Sequence, residues 1–197
     1  FKIFAFSNKE FNEIGWFYCS ASSDDIDRYI TYNYLENVWS IGELSRTAWL
    51  DEGIFENPLA TEGSANSSVL YNHETGSDAD GVPMDNVFIE SGDIDIDEGE
   101  QFGFVSRIIP DVKFFGSTPT SGQINYVLKS RNYPGESLTT NSTSDVTSST
   151  TQNFVRTRAR QLVFRVQSDD DADTGVRTGF KWRLGANRFD IRTDGRR

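Results

Sequence analysis

A single histidine limits the catalytic chemistry that this chain can support. His73 lies in the segment VLYNHE, directly before Glu74. Neither the spacing of a Ser-His-Asp triad nor a nucleophile turn accompanies it. A histidine zinc site needs more nitrogen and sulfur ligands than one histidine and one cysteine supply. We therefore interpret His73 as a solvated or hydrogen-bonded strand residue.

Two acidic runs carry the alternating carboxylates that calcium loops use. Residues 93–99 read DIDIDEG, and residues 169–175 read DDDADTG. A calcium loop needs glycine at its sixth position and glutamate at its twelfth. The first run has Glu98 and Phe104 there, and the second run departs from the pattern as well. We interpret the first run as a charged strand face and the second as a hairpin tip. Together with the interpretation of His73, the sequence predicts no metal ligand, no catalytic residue and no cofactor-binding residue.

Arginines form the third candidate group. Arg156, Arg158 and Arg160 alternate with smaller residues in FVRTRAR, so one face of a strand carries all three. Further arginines follow near the end of the sequence: Arg188, Arg192, Arg196 and Arg197. A guanidinium group pairs best with carboxylates or phosphates. We expect this row to meet carboxylates, either in the same chain or in an adjacent copy.

The charge distribution shows where such carboxylates would come from. Residues 1–100 contain 21 acidic and 4 basic side chains, a net charge of −17, whereas residues 101–197 contain 9 and 15, a net charge of +6. An acidic half repels phosphates, which argues against a nucleic-acid-binding protein. The acidic half is therefore the expected partner of the arginine row.

The elements that must position these residues are strands. Apolar residues recur with a period of two, and no segment has sustained helical periodicity. Residues 28–34 and 38–44 predict a hairpin around the break Leu35-Glu36-Asn37. Tyr29 falls on one face of its first strand and Tyr32 on the other, so we expect both faces to be covered.

Several global features bound the class of protein. No apolar run approaches the ~20 residues that span a bilayer, and no secretory signal is visible. Cys19, the only cysteine, is interpreted as a small buried hydrophobe. Because the sequence starts without methionine, directly in the strand-like FKIFAF, we expect a fragment of a longer protein. A loop-like stretch, residues 52–68, indicates a soft boundary, and residues 136–153 form a Ser/Thr-rich segment.

Three stretches together resemble tail proteins of short-tailed bacteriophages. WFYCSASSDDIDRYITYNYLENVWSIGELSRTAWLD resembles the aromatic hairpin of a β-propeller blade in these proteins. HETGSDADGVPMDNVFIESGDIDIDEGEQFGFVSRIIPDV resembles their C-terminal part, as does RARQLVFRVQS with the closing WRLGANRFDIRTDGRR, the most specific piece. The insertion DDDADTGVRTGFK before Trp182 is longer than the family pattern. The chain thus resembles the C-terminal part of a tail nozzle or tail hub protein, also called a stabilisation protein.

The resemblance implies an all-β fold of β-propeller blades followed by β-sandwich-like strands, with little or no helix. Residues 1–60 would be the end of a propeller. Residues 61–197 would be a C-terminal all-β region with room for a further blade and a sandwich-like domain. Four aromatic residues would pack blade against blade: Tyr32, Tyr34, Trp39 and Trp49.

The function implied is structural and not enzymatic. The family forms a ring around the DNA ejection channel, for which we expect six copies, and it contacts an adaptor and tail fibres or spikes. Genomic DNA would pass through the acidic lumen without specific binding. The protein would be made in the host cytoplasm and located in the virion tail. The alternative is a carbohydrate-binding or carbohydrate-cleaving β-protein that uses Trp16 or Tyr133. A calcium-stabilised adhesin is a weaker third option.

Overall fold

The computed structural model describes residues 2–62, 69–76, 87–116, 124–168 and 180–196, and these residues are almost entirely strand and turn. They contain one 3₁₀ helix, Asp97–Gly99, and several separate sheets, none of which is closed. The prediction of an all-β fold with little helix is confirmed. Within the described ranges, no helix has the length and apolar composition to cross a membrane.

The chain divides into two compact units, Phe1–Gly76 and Ser77–Arg197. The boundary that we predicted at residue 60 falls inside a strand, Leu59–Thr61, and the division between the units comes later. The loop-like segment 52–68 therefore belongs to the first unit and does not separate two units.

The first unit begins with a four-stranded antiparallel meander. Its strands run in sequence order: β1 (Phe4–Asn8), β2 (Glu13–Tyr18), β3 (Arg28–Asn33) and β4 (Val38–Glu43). The predicted hairpin is confirmed, because Asn33 pairs with Val38 across the turn. Asn37 closes that turn at φ 57°, a left-handed conformation that asparagine tolerates well.

A three-stranded meander follows and packs on the inner face of the first sheet. It consists of β5 (Ala48–Leu50), β6 (Leu59–Thr61) and β7 (Leu70–Asn72). Trp49 of β5 lies with its ring centroid 4.7 Å from that of Phe6 and 5.7 Å from that of Phe17. Phe6, Phe17 and Ile26 form the buried core of this unit, so aromatic side chains join the two meanders.

Two glycines make room for rings on the inner face of the first sheet. Gly15 lies opposite Phe6, and a Cβ there would come within 2.2 Å of the Phe6 ring. Gly42 lies opposite Tyr29, and its Cβ would come within 2.3 Å of that ring. Glycine at these two positions therefore leaves the space that the Phe6 and Tyr29 rings occupy.

The described residues of the second unit form three sheets. The first has the order β14-β10-β17, with β10 (Gly103–Ile109) between β14 (Asn153–Ala159) and β17 (Arg188–Thr193). The second has the order β13-β12-β15-β8, and β9 (Ile94–Asp95) also pairs with β15. Its strands are β8 (Phe88–Glu90), β12 (Ile124–Arg131), β13 (Thr139–Val146) and β15 (Gln161–Ser168). β11 (Val112–Gly116) pairs with β16 (Phe180–Leu184).

One apolar core joins the two larger sheets of this unit. Val105 and Val155 supply it from the sheet of β10, and Tyr126 and Leu162 supply it from the sheet of β12. The Tyr126 ring meets Phe164 edge-on at 5.0 Å, an arrangement that aromatic pairs favour. The side chains that alternate with this core on β14 point to the opposite face, which positions the arginine row.

Candidate functional site

His73 takes part in a packed polar group of the first unit. It lies directly after β7, where its Nε2 accepts a hydrogen bond of 2.9 Å from Nε of Arg46 and its ring lies 4.7 Å from that of Trp49. Burial, and then the charge of Arg46, lower the pKa of His73 to about 4. Because Nε2 accepts, the ring is neutral with its proton on Nδ1. A neutral imidazole held by an arginine is a structural contact, consistent with the hydrogen-bonded interpretation.

Arg46 is the unusual member of this group, because it is charged and only 8% exposed. Its guanidinium lies 4.2 Å from the Tyr71 ring centroid, and its Nη1 donates to the Ser45 carbonyl at 2.6 Å. Burial lowers the pKa of Arg46. Among the described residues no carboxylate forms an ion pair with it, so an imidazole, a ring and a carbonyl solvate the charge.

The first acidic run does not form the strand face that its alternation predicts. Asp95 belongs to β9, but Asp97 begins the 3₁₀ helix with φ 50°. The three carboxylates bind separate partners: Asp93 contacts Arg131, Asp95 accepts from Gln161 at 2.7 Å, and Asp97 contacts Gln101. No group of three potential metal-ligating side chains occurs in the described parts of the chain, and the second run, 169–175, lies outside them.

The outer face of the first sheet is apolar and open. Register places Ile14, Trp16, Ile30, Tyr32, Trp39 and Ile41 together on the side opposite the Phe6–Phe17 core; we call this set the outer aromatic face. Trp39 is 57% exposed and Ile41 is 73% exposed. The Trp39 ring lies 4.6 Å from Tyr32 and 6.2 Å from Trp16, nearly parallel to the latter. Contiguous apolar patches of this kind mark interaction surfaces.

The four aromatic residues expected to pack between sheets have different positions. Trp49 packs between the two meanders, as expected. Tyr32 and Trp39 contact each other on the outer aromatic face. Tyr34 lies in the turn after β3, where its hydroxyl donates to Asn12 at 3.2 Å. Because the strand ends at Asn33, Tyr34 lies outside the sheet, and its packing against another blade stays a prediction.

Arg156 and Arg158 of the arginine row lie on the outer face of β14, and Arg160 directly follows the strand. Val155, Thr157 and Ala159 point into the core, so the predicted alternation is confirmed. The Arg158 guanidinium pairs with Asp194 at 2.6 Å and lies 3.9 Å from the Phe102 ring centroid. This carboxylate belongs to the second unit, so the expectation that the acidic half alone supplies the partners is wrong for Arg158.

A cleft lies beside this row on the sheet of β14, β10 and β17. It has a volume of about 580 Å³ and is lined by Phe104, Ser106, Phe154, Val155, Arg156 and Arg192; we call it the Arg–Phe cleft. Phe154 is 75% exposed. Register places Phe104 opposite Arg192, whose guanidinium lies 4.8 Å from the ring centroid.

The two arginines of the Arg–Phe cleft are left without carboxylates. Arg107 forms an ion pair with Asp190 at 2.6 Å, and Arg158 forms one with Asp194. Among the described residues, neither Arg156 nor Arg192 has a carboxylate within 4.0 Å of its guanidinium nitrogens. The cleft thus offers two aromatic rings and two positive charges that have no ion pair among the described residues, which suits a ligand with apolar and anionic groups.

The aromatic residues considered for sugar binding lie in different units. Trp16 belongs to the outer aromatic face of the first unit, whereas Tyr133 is exposed in the turn between β12 and β13 of the second. No sequence pattern singled out Phe104, and Arg192 was predicted only as one of the arginines near the end of the sequence. They meet only because β10 pairs with β17, a contact that no local pattern reveals.

Comparison with known proteins leaves the family open. No protein-family model matches this chain, and no curated protein matches it.

Proposed function

We propose that this chain is a non-enzymatic structural component of a bacteriophage tail, part of a ring-shaped nozzle or hub around the DNA ejection channel. The observation that carries the proposal is the outer aromatic face. A soluble chain that exposes two stacked indole rings together with isoleucines on one sheet face has a surface built for packing against another surface. The sequence resemblance supplies the tail assignment.

The fold supports the same proposal. Two antiparallel meanders follow each other in the chain and pack face to face through Phe6, Phe17 and Trp49. A propeller repeats this unit radially, with every sheet covered on both faces. In this proposal the first unit consists of propeller blades, and the second is sandwich-like, with two sheets around one core. The outer aromatic face then packs against a further sheet in the assembled tail.

In the ring, the acidic residues of the first half keep DNA from adhering as it passes, because like charges repel. Six copies surround the channel, and the ring contacts an adaptor and tail fibres or spikes. These partners, and the location in the virion tail, come from the resemblance. Function in this proposal depends on shape, rigidity and charge.

The test makes the outer aromatic face polar. A variant with Trp39→Ser and Ile41→Ser should self-associate more weakly than the parent chain by at least about tenfold, because central aromatic residues dominate interface energies. Sedimentation velocity over a concentration series measures this. Leu138→Ser, an exposed leucine in the second unit, is the matched control. Unchanged association together with unchanged melting would show that the face has no role in assembly.

Carbohydrate binding is the second candidate, and one observation favours it. The nearly parallel rings of Trp16 and Trp39, with Trp39 largely open to solvent, form a platform on which a sugar ring can stack. Quenching of tryptophan fluorescence by cell-surface polysaccharide, lost in Trp39→Ser and seen in a monomeric chain, would favour this candidate over the structural one.

A further inference from the structure

An acidic loop of the first unit presents apolar side chains to solvent. Residues 51–57, between β5 and β6, read DEGIFEN; we call this segment the acidic loop. Ile54 is 94% exposed, and the neighbouring Phe55 is also exposed. The Gly53 N–H donates to the Phe55 carbonyl at 3.1 Å, which closes the turn that displays Ile54.

Two free carboxylates frame this apolar tip. Glu52 and Glu56 flank it in sequence, and neither forms an ion pair with any residue that the structure describes. Asp51, by contrast, is occupied, because its carboxylate accepts from the backbone N–H and the hydroxyl of Ser7 at 2.9 and 2.6 Å. The loop thus presents two apolar side chains and two carboxylates that form no ion pair within the described ranges.

The Arg–Phe cleft of the second unit has the complementary set. It offers two phenyl rings and two guanidinium groups without carboxylates, in a volume of about 580 Å³. This volume lies in the range of about 300–1,000 Å³ typical of binding clefts. Charge complementarity and apolar content therefore match the acidic loop to this cleft.

We propose that the acidic loop of one copy binds the Arg–Phe cleft of a second copy of this chain. The two apolar side chains of the loop enter between the two rings, and its two glutamates pair with the two free guanidinium groups. Opposite charges steer the encounter and fix its register, while burial of the apolar tip supplies most of the affinity.

A second copy is the occupant that the assembly requires. Each patch has a largely exposed apolar side chain, since Ile54 is 94% exposed and Phe154 is 75% exposed. Two different patches that bind each other between copies make a head-to-tail contact, and such contacts build a ring when the rotation from copy to copy closes. The inference therefore rests on the ring assembly of the proposed function and names the contact that joins its copies.

Charge reversal tests this contact in the Trp39→Ser, Ile41→Ser background, so that the outer aromatic face does not contribute. The loop variant carries Glu52→Lys and Glu56→Lys, and the cleft variant carries Arg156→Glu and Arg192→Glu. The matched controls reverse charges elsewhere: Glu10→Lys with Glu36→Lys, and Arg183→Glu with Arg188→Glu. Sedimentation velocity gives the mass of each protein, and circular dichroism confirms that each is folded.

Loop and cleft variants should each self-associate at least about tenfold more weakly than the background, since like charges at an interface are strongly unfavourable. Their mixture should form a 1:1 complex, because each still carries one intact partner. The chain with all four reversals should assemble again, and the controls should behave as the background does. A contact within one chain would leave the mixture monomeric and would overturn the proposal.

Other outcomes separate this inference from the proposed function. If the background protein associates equally well with and without the reversals, the loop contact is overturned and the tail assignment stands. The same conclusion follows if the background protein is monomeric while the parent chain forms rings. A parent chain that stays monomeric throughout the concentration series overturns both. The background protein can also be tested with an acidic peptide or a small anionic aromatic compound. If it binds such a compound and its copies do not bind each other, the cleft is assigned to another ligand and the inference is overturned.

Discussion

At the residue scale, the group around Arg46 shows how a charge can be buried without a direct ion pair to any residue that the structure describes. Its guanidinium rests on the Tyr71 ring and donates to the imidazole of His73. A protonated His73 would place two positive charges side by side and remove the hydrogen-bond acceptor. The first unit therefore folds around a neutral histidine, which couples its stability to pH.

His73 should make the first unit less stable in acid. The folded-state pKa of about 4 lies below the ordinary 6.5, so the folded state binds fewer protons than the unfolded state between these values. The contribution is complete above pH 6.5 and is lost as the pH falls towards 4. Because His73 is half-buried, we expect a loss of about 1–2 kcal/mol across this window.

His73→Gln is the variant that isolates this effect. Glutamine can still accept from Arg46 but does not titrate. Urea unfolding at pH 7 and pH 4, followed by tryptophan fluorescence, should show a smaller loss of stability for the variant than for the parent chain. Equal losses in both proteins would mean that His73 is not the group responsible.

At the element scale, the inner face of the first sheet depends on glycine beneath a ring. Gly15→Ala should lower the stability of the first unit by about 1–3 kcal/mol, because the added methyl would overlap Phe6, which Phe17 and Trp49 hold in place. Thermal unfolding followed by tryptophan fluorescence measures this, since Trp16, Trp39 and Trp49 all lie in this unit. Gly92→Ala, with no atom within 4 Å of the new Cβ, should change little. Equal melting temperatures for the Gly15→Ala and Gly92→Ala chains would contradict this packing.

Local pattern also explains which elements could be predicted. The hairpin of β3 and β4 and the alternation on β14 follow from period-two apolar spacing, and both are confirmed. β13 could not be recognised, because its sequence TTNSTSDV offers only Val146 to the core. The Arg–Phe cleft could not be predicted for another reason. It forms where β10 pairs with two strands that are distant in sequence, and the register of that pairing shifts between Val105 and Arg107.

At the scale of the whole molecule, the two units differ in what they leave open. The first unit exposes an apolar sheet face and an acidic loop, and the second exposes a cleft with two arginines that form no ion pair in the described part of the chain. In the structural proposal, assembly between copies covers these surfaces. The structural proposal is preferred for this reason, and the resemblance to phage tail proteins gives the assembly its form.

Electron microscopy with particle averaging of the parent chain at assembling concentrations tests the central claim most directly. The account predicts class averages of a ring with a central hole, for which the resemblance leads us to expect six copies. Averages that show only isolated globular particles at every concentration would contradict it.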